Sequence, residues 1–295
     1  MTQPQRIGFI GLGMMGAPMV QCLVNAGFGL FIDDADAARA DALAAQTGAQ
    51  RLGKDNAASL DALITMLPNS AIVESVLLGD GADGWASLLT KGAAVIDMSS
   101  SEPERSRKLG SVLEERGLAY LDAPVSGGVK KAKEGTLAIL VGGNADELAR
   151  CKPVLEAMGK SILHIGGAGA GHAAKALNNY VSAAGLAATV EALHVAQRFG
   201  IEPDVMTDVL NASSGRSNTS ENKVKPFMLS GTFASGFALQ LMNKDLKIAR
   251  ALAQSVGYPM TLGMTCTAMW DEAAQRSTPA TDHTEMYRLL DGDAS

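Results

Sequence analysis

Lys175, Asn178 and Asn179 stand at i, i+3 and i+4, a spacing that puts all three on one face of a helix. A lysine placed there can take and return the proton of an alcohol if burial, another cation or a nearby cofactor lowers its pKa toward working pH. An amide one turn further on can hold a hydroxyl or a carboxylate. Taken alone, the trio is described more simply as a solvated lysine and a capping asparagine. Far upstream, Gly11-Leu12-Gly13-Met14-Met15-Gly16 follows an apolar stretch and precedes a helical pattern. Gly11 permits a tight turn, Gly13 lets the backbone approach a pyrophosphate, and Gly16 lets helix and strand pack closely. The start of the helix then offers N–H groups and a positive dipole end to the phosphates. Asp34 lies 18 residues beyond Gly16, where a carboxylate accepts bonds from ribose hydroxyls and repels a 2′-phosphate. The pattern reads as a nicotinamide dinucleotide site preferring NAD over NADP, and the chemistry as hydride transfer coupled to proton transfer.

Further candidates surround this pair. Ser126-Gly127-Gly128 follows Pro124, and its backbone N–H groups with the serine hydroxyl can bind a carboxylate without a charged residue. A tight connection from sheet to helix is the plain alternative. Lys130, Lys131 and Lys133 add positive charge nearby. Lys244-Asp245 lies on an expected helix, where an exposed salt-bridged face is the plain reading; the functional reading has Lys244 reach cofactor or substrate, with Asp245 expected to be structural. Arg216, in a polar stretch from Ser213 to Asn218, is a candidate partner for a carboxylate, sulfonate or phosphate, and an ordinary turn fits equally. His283 is another candidate, while His164, His172 and His194 read as structural. Met14 and Met15 are expected to pack around the turn and an adenosine. No cluster has metal-ligand spacing, so no metal is expected.

The elements that must position these residues alternate. Strands are expected at Arg6 to Ile10, Leu30 to Ile32, Leu63 to Met66, Ala93 to Met98, Leu118 to Leu121 and Thr136 to Val141, with helices between them. This is the signature of a parallel, doubly wound sheet. The pattern stops near Ile165, and helices follow: Ala173 to Phe199, Asp204 to Ala212, Leu241 to Val256 and Thr261 to Gln275. The expected fold is therefore α/β, a Rossmann-type domain over residues 1–165 and an all-α domain over 166–295, joined at a glycine-rich junction.

Composition narrows the class. A net charge of −6 lacks the basic footprint of nucleic-acid binding. No apolar run reaches the ~18 residues that suggest a membrane span. Cys22, Cys151 and Cys266 are sparse, odd in number and far apart, which fits a reducing compartment. Without signal- or transit-peptide character, the protein is expected in the cytoplasm.

Four motifs in order carry a resemblance spanning about Arg6 to Leu289. They are Gly-Leu-Gly-Met-Met-Gly-Ala-Pro-Met from Gly11; Asp122-Ala-Pro-Val-Ser-Gly-Gly128, continuing through Gly135-Thr-Leu to Val141-Gly-Gly143; Gly169-Ala-Gly-His-Ala-Ala-Lys175-Ala-Leu-Asn178-Asn179; and Lys244-Asp245-Leu246. Together they resemble the β-hydroxyacid dehydrogenase family. The resemblance implies an active site in a cleft between the two domains. It makes Lys175 the catalytic lysine, Asn179 its amide partner and Ser126-Gly127-Gly128 the substrate loop. It places Leu67 and Pro68 along the cofactor, Ser100 near the nicotinamide ribose in a position usually held by threonine, and Lys244 near the nicotinamide end. The expected substrate is a small 3-hydroxy acid of the 3-hydroxyisobutyrate kind. Tartronate semialdehyde or a polar acid such as threonate is the alternative, and a non-catalytic NADH sensor is the alternative of another class. Imine reduction is a neighbouring chemistry, which the presence of both Lys175 and Asn179 disfavours. A homodimer or homotetramer is expected from the family and from the Ala/Leu-rich long helix.

Overall fold

A computed structural model describes residues 3–79 and 83–291. They form two compact units, the first ending at Lys175 and the second starting at Ala176.

The first unit runs β1 (Arg6–Ile10), α1 (Gly16–Asn25), β2 (Gly29–Asp33), α2 (Ala37–Thr47), β3 (Gln50–Arg51), β4 (Ala62–Thr65), α3 (Ser70–Leu78), β5 (Ala94–Asp97), α4 (Pro103–Glu115), β6 (Ala119–Asp122), β7 (Val125–Ser126), α5 (Gly128–Glu134), β8 (Leu137–Gly143), α6 (Ala145–Glu156) and β9 (Gly159–Gly166). Local chemistry sets several of these limits. Asn69 caps α3 by accepting the Ile72 N–H. Pro103 opens α4, where a missing N–H leaves nothing unsatisfied. Gly48 closes α2 in the left-handed conformation.

Strands β3-β2-β1-β4-β5-β6 are parallel. Their order reverses between β1 and β4, so the crevice outside those carboxyl ends is where such a sheet binds ligands. Neighbouring strand residues serve opposite faces. Leu63 and Val95 pack with Val73, Leu77, Leu109 and Leu113 of α3 and α4. Ile64 and Ile96 belong to the other core, with Met19, Leu23 and Val154 of α1 and α6. Burial on both faces is why these strands read as continuous apolar runs.

The expected parallel, doubly wound sheet also carries antiparallel pairings. β8 runs antiparallel to β6 and β7, and β9 then joins β8 in parallel. Residues 127–136 connect β7 to β8, fewer than the roughly twelve a parallel crossover requires. Helix α6 and strand β9 also extend the alternation beyond the expected elements, as far as Gly166.

Helix α7 (Ala170–Phe199) begins in the last residues of the first unit. The second unit continues with α8 (Pro203–Ala212), α9 (Asn218–Asn222), a π-helical turn (Val224–Leu229), α10 (Leu239–Ser255), α11 (Thr261–Gln275) and α12 (Met286–Leu289). Ala183, Leu186, Val190 and Leu193 recur on one face of α7. They share a core with Leu239, Met242 and Leu246 of α10 and the fully buried Trp270 of α11. Cys151 and Cys266 are buried, one in each unit, and Cys22 is half-buried. Among the described residues no helix is long and apolar enough to cross a membrane.

Candidate active site

At the end of β1 the chain turns too tightly for side chains at two positions. A Cβ on Gly11 would collide with the Met66 carbonyl oxygen beyond β4, and one on Gly16 with the Gly11 carbonyl oxygen. A Cβ on Gly13 meets nothing within 4 Å. The first and third glycines are therefore required by the protein itself, whereas the second leaves space open in front of α1. No side chain caps α1, and in its first turn Ala17 donates its N–H to the Gly13 carbonyl oxygen at 3.1 Å while Pro18 has none, so an anion in front of the helix would meet the backbone of the glycine turn itself. Met14 projects from this turn, 77% exposed.

Asp34 follows β2 and is tied to the same turn. Its Oδ2 accepts the Leu12 N–H at 2.6 Å. Its Oδ1 accepts the Asp36 N–H at 2.9 Å and Arg39 Nη1 at 3.1 Å. Burial pushes the pKa of this carboxyl up, but the two N–H groups and the guanidinium outweigh it and leave the group below its ordinary value. A cradle that a Cβ would fill, open space at Gly13 and an ionised carboxylate beside them fit a dinucleotide.

The ends of β4 and β5 are joined. Leu67 donates its N–H to Ser99 Oγ at 2.8 Å, and Leu67 Cδ2 lies 3.1 Å from where a Gly11 Cβ would stand. Leu67 thus lies along the glycine turn and is bonded to Ser99, with Pro68 and Ser100 following these two residues in the chain. Asp97, wholly buried at the end of β5, accepts from Thr65 Oγ1, the Ser99 N–H and Ser101 Oγ.

Beyond β6, Gly127 and Gly128 take φ of +134° and +67°, conformations that L side chains rarely adopt. Successive N–H groups in such a turn can face an anion. Lys175 donates from Nζ to the Val125 carbonyl oxygen at 2.8 Å. The structure therefore brings the Lys175 amine to the residue that precedes Ser126, Gly127 and Gly128, although about fifty positions separate the two in the chain.

In the second unit, Asn179 donates from Nδ2 to Asp245 Oδ2 at 2.6 Å and accepts from Asn178 Nδ2 at 3.1 Å. Lys244 precedes Asp245 on α10 and is half-buried. Arg216 is exposed and pairs with Glu221 at 3.6 Å. His283 is buried beside Asp282, with Nδ1 at 3.0 Å from the Phe237 carbonyl oxygen.

Sequence reading gave no role to Asp97 or Asp122, and it treated His172 as structural. Asp122 accepts the Gly169 N–H and the His172 N–H at the start of α7. The signal was available: Ala-Val-Ile-Asp97 and Ala-Tyr-Leu-Asp122 each close an apolar strand with an acid, and a buried carboxylate must find several donors.

Residues 6–166 match the family described as the NAD binding domain of 6-phosphogluconate dehydrogenase. Residues 169–290 match the family described as NAD-binding of NADP-dependent 3-hydroxyisobutyrate dehydrogenase. The chain is 39% identical over 273 residues to 2-(hydroxymethyl)glutarate dehydrogenase of Eubacterium barkeri, covering 92% of this chain and 90% of that one. It is 40% identical over 280 residues to 3-hydroxyisobutyrate dehydrogenase of Pseudomonas aeruginosa, covering 91% and 92%. A solved structure of Mycobacterium tuberculosis 3-hydroxyisobutyrate dehydrogenase with L-serine matches at a TM-score of 0.89 and 33% identity, covering 99% of this chain and 100% of that one.

Proposed function

The chain belongs to the β-hydroxyacid dehydrogenase family of oxidoreductases, and from that premise we propose that it interconverts a small 3-hydroxy acid and its semialdehyde or keto acid, with NAD as hydride carrier and Lys175 as general acid and base. The observation that carries this reading is the Lys175 amine on the Val125 carbonyl oxygen at 2.8 Å, adjoining Ser126-Gly127-Gly128.

The dinucleotide would be held by Gly11 through Gly16, Asp34, Leu67, Pro68, Ser100 and Lys244, and when bound it supplies the hydride acceptor. The protein's own residues handle the acid. Ser126 Oγ and the N–H groups of Gly127 and Gly128 hold its carboxylate. Lys175 takes the hydroxyl proton during oxidation and returns it during reduction. Asn179 keeps a second amide hydrogen besides the one given to Asp245, and with it orients the substrate.

The deciding experiment is an initial-rate panel of 3-hydroxyisobutyrate, 2-(hydroxymethyl)glutarate, L-serine, threonate and tartronate semialdehyde with both nicotinamide cofactors. Turnover of a 3-hydroxy acid is the expected result. NADH binding with no turnover of any acid would replace the enzyme reading by a sensor, and selective use of a bulky sugar phosphate would exclude a small-acid enzyme.

The preference for NAD rests on Asp34, whose ionised carboxylate opposes a 2′-phosphate. We expect kcat/KM for NAD to exceed that for NADP by about 100-fold, and Asp34→Ser to narrow the ratio at least about tenfold, since like-charge contacts against the wrong ligand are a common source of discrimination. A ratio unmoved by the substitution would remove Asp34 from cofactor choice.

A further inference from the structure

We infer that Asp122, backed by His172, is a positioning residue that sets where the Lys175 amine stands. This rests on the reading of Lys175 as the proton-transfer group.

Asp122 is 0% exposed at the end of β6. Its Oδ1 accepts the Gly169 N–H at 2.7 Å, and its Oδ2 accepts the His172 N–H at 2.8 Å. N–H groups at a helix start have no carbonyl partner within the helix, and a carboxylate there also meets the favourable end of the dipole. A strand-end acid therefore does for α7 what a capping side chain does for other helices. Because both oxygens face backbone donors, Asp122 serves to hold structure and not to receive the substrate's proton.

The fit is close enough to demand glycine on both sides. A Cβ on Gly142 of β8 would collide with Asp122 Oδ1. One on Gly171 would collide with the Leu140 carbonyl oxygen and lie 2.9 Å from Asp122 Oδ2. The His172 ring clamps the same turn, with Nδ1 at 2.8 Å from Ser106 Oγ and Nε2 at 3.1 Å from the Ser99 carbonyl oxygen.

Lys175 comes three residues after His172, and its amine bonds to Val125, three residues after Asp122. One short segment, residues 122–125, thus holds the helix start through a carboxylate and the lysine tip through a carbonyl. With both ends fixed, the amine is placed by backbone-anchored groups, the kind of support a reacting side chain needs.

The test is Asp122→Asn, which keeps size but turns an amide NH₂ toward one of the two backbone donors. Labelling by acetic anhydride, quantified by mass spectrometry, reads the surroundings of Lys175 without needing turnover. We expect Lys175 to label several-fold faster relative to the other lysines. We also expect kcat for the best acid of the panel to fall about tenfold or more, as misplacement of a reacting group by an ångström costs up to about 100-fold. The Kd for NADH should stay within about twofold, because the groups bonded to Asp122, Gly169 and His172, are not among those proposed to hold the dinucleotide. A merely structural acid would lower the melting temperature and leave the Lys175 labelling rate and kcat of the folded enzyme unchanged, and that outcome overturns the inference. Should Asp122→Asn fail to fold, Ser106→Ala, which frees one side of the His172 ring, is measured in the same way: faster Lys175 labelling supports the inference and unchanged labelling overturns it. Retained activity in Lys175→Ala would instead sink the catalytic reading while leaving the labelling result intact, so the two failures are distinguishable.

Discussion

Lys175→Ala lowers kcat by about a thousandfold, within the range contributed by a positioned general acid and base, and leaves the NADH Kd within about twofold. The substitution deletes the only group that the proposed reaction uses to carry the hydroxyl proton. It leaves untouched the glycine turn, whose Gly11 and Gly16 are held by contacts inside the first unit, and Asp34, which is bonded to Leu12. Lys175→Arg sharpens the result. A guanidinium keeps the positive charge but does not deprotonate at working pH, so it too should be inactive. If either folded variant turned over the best acid of the panel at a near-normal rate, the proton would have to travel by another group. Initial rates beside a fluorescence titration with NADH separate loss of chemistry from loss of binding.

The second large effect is expected at Gly13. Gly13→Val should fold with a melting temperature within about 2 °C of the parent, the effect of no more than about 1 kcal/mol in a domain of this size, yet bind NADH about 100-fold more weakly, or about 2.7 kcal/mol. The backbone at Gly13 does not have positive φ, and its Cβ would stand in open space. A β-branched side chain therefore fits the protein and fills the volume in front of α1 that the pyrophosphate requires. Gly16→Val is the contrasting control: its Cβ has no room against the Gly11 carbonyl oxygen, so it should lose the fold along with binding. A folded Gly13→Val that binds NADH normally would mean that the dinucleotide does not pass over this turn.

What the sequence made legible was mostly local. Gly11 to Gly16, the cap at Asn69, Pro103 at the start of α4 and Gly48 at the end of α2 announce themselves within a few residues, because their causes lie there. Strand direction is different. Nothing inside Leu137–Gly143 states that it runs against β6, since the connection length and the partner strands decide that. Helix α6 contains Pro153, a residue that ordinarily ends a helix, and β9 is largely exposed and bounded by glycines, so neither stood out by periodicity. Asp122 was visible as the first letter of a motif. Its function as an anchor for Gly169 and His172 depends on a pairing across about fifty positions, which no spacing rule contains.

The buried thiols have a consequence for oxidative chemistry. Burial pushes Cys151 and Cys266 up to about 11, and it raises Cys22 as well, a shift that the backbone at Gly135 only partly offsets. Peroxides and disulfide reagents attack the thiolate, and at neutral pH a thiol of pKa 11 is ionised only about one part in ten thousand. Metabolic oxidants therefore find little to react with at the cysteines. Among the described residues the most exposed methionine thioether is that of Met14, 77% exposed on the glycine turn against 43% for Met264. Its sulfoxide is polar and enzymatically reversible, so oxidative damage would be written first, and erasably, at the edge of the proposed dinucleotide cradle.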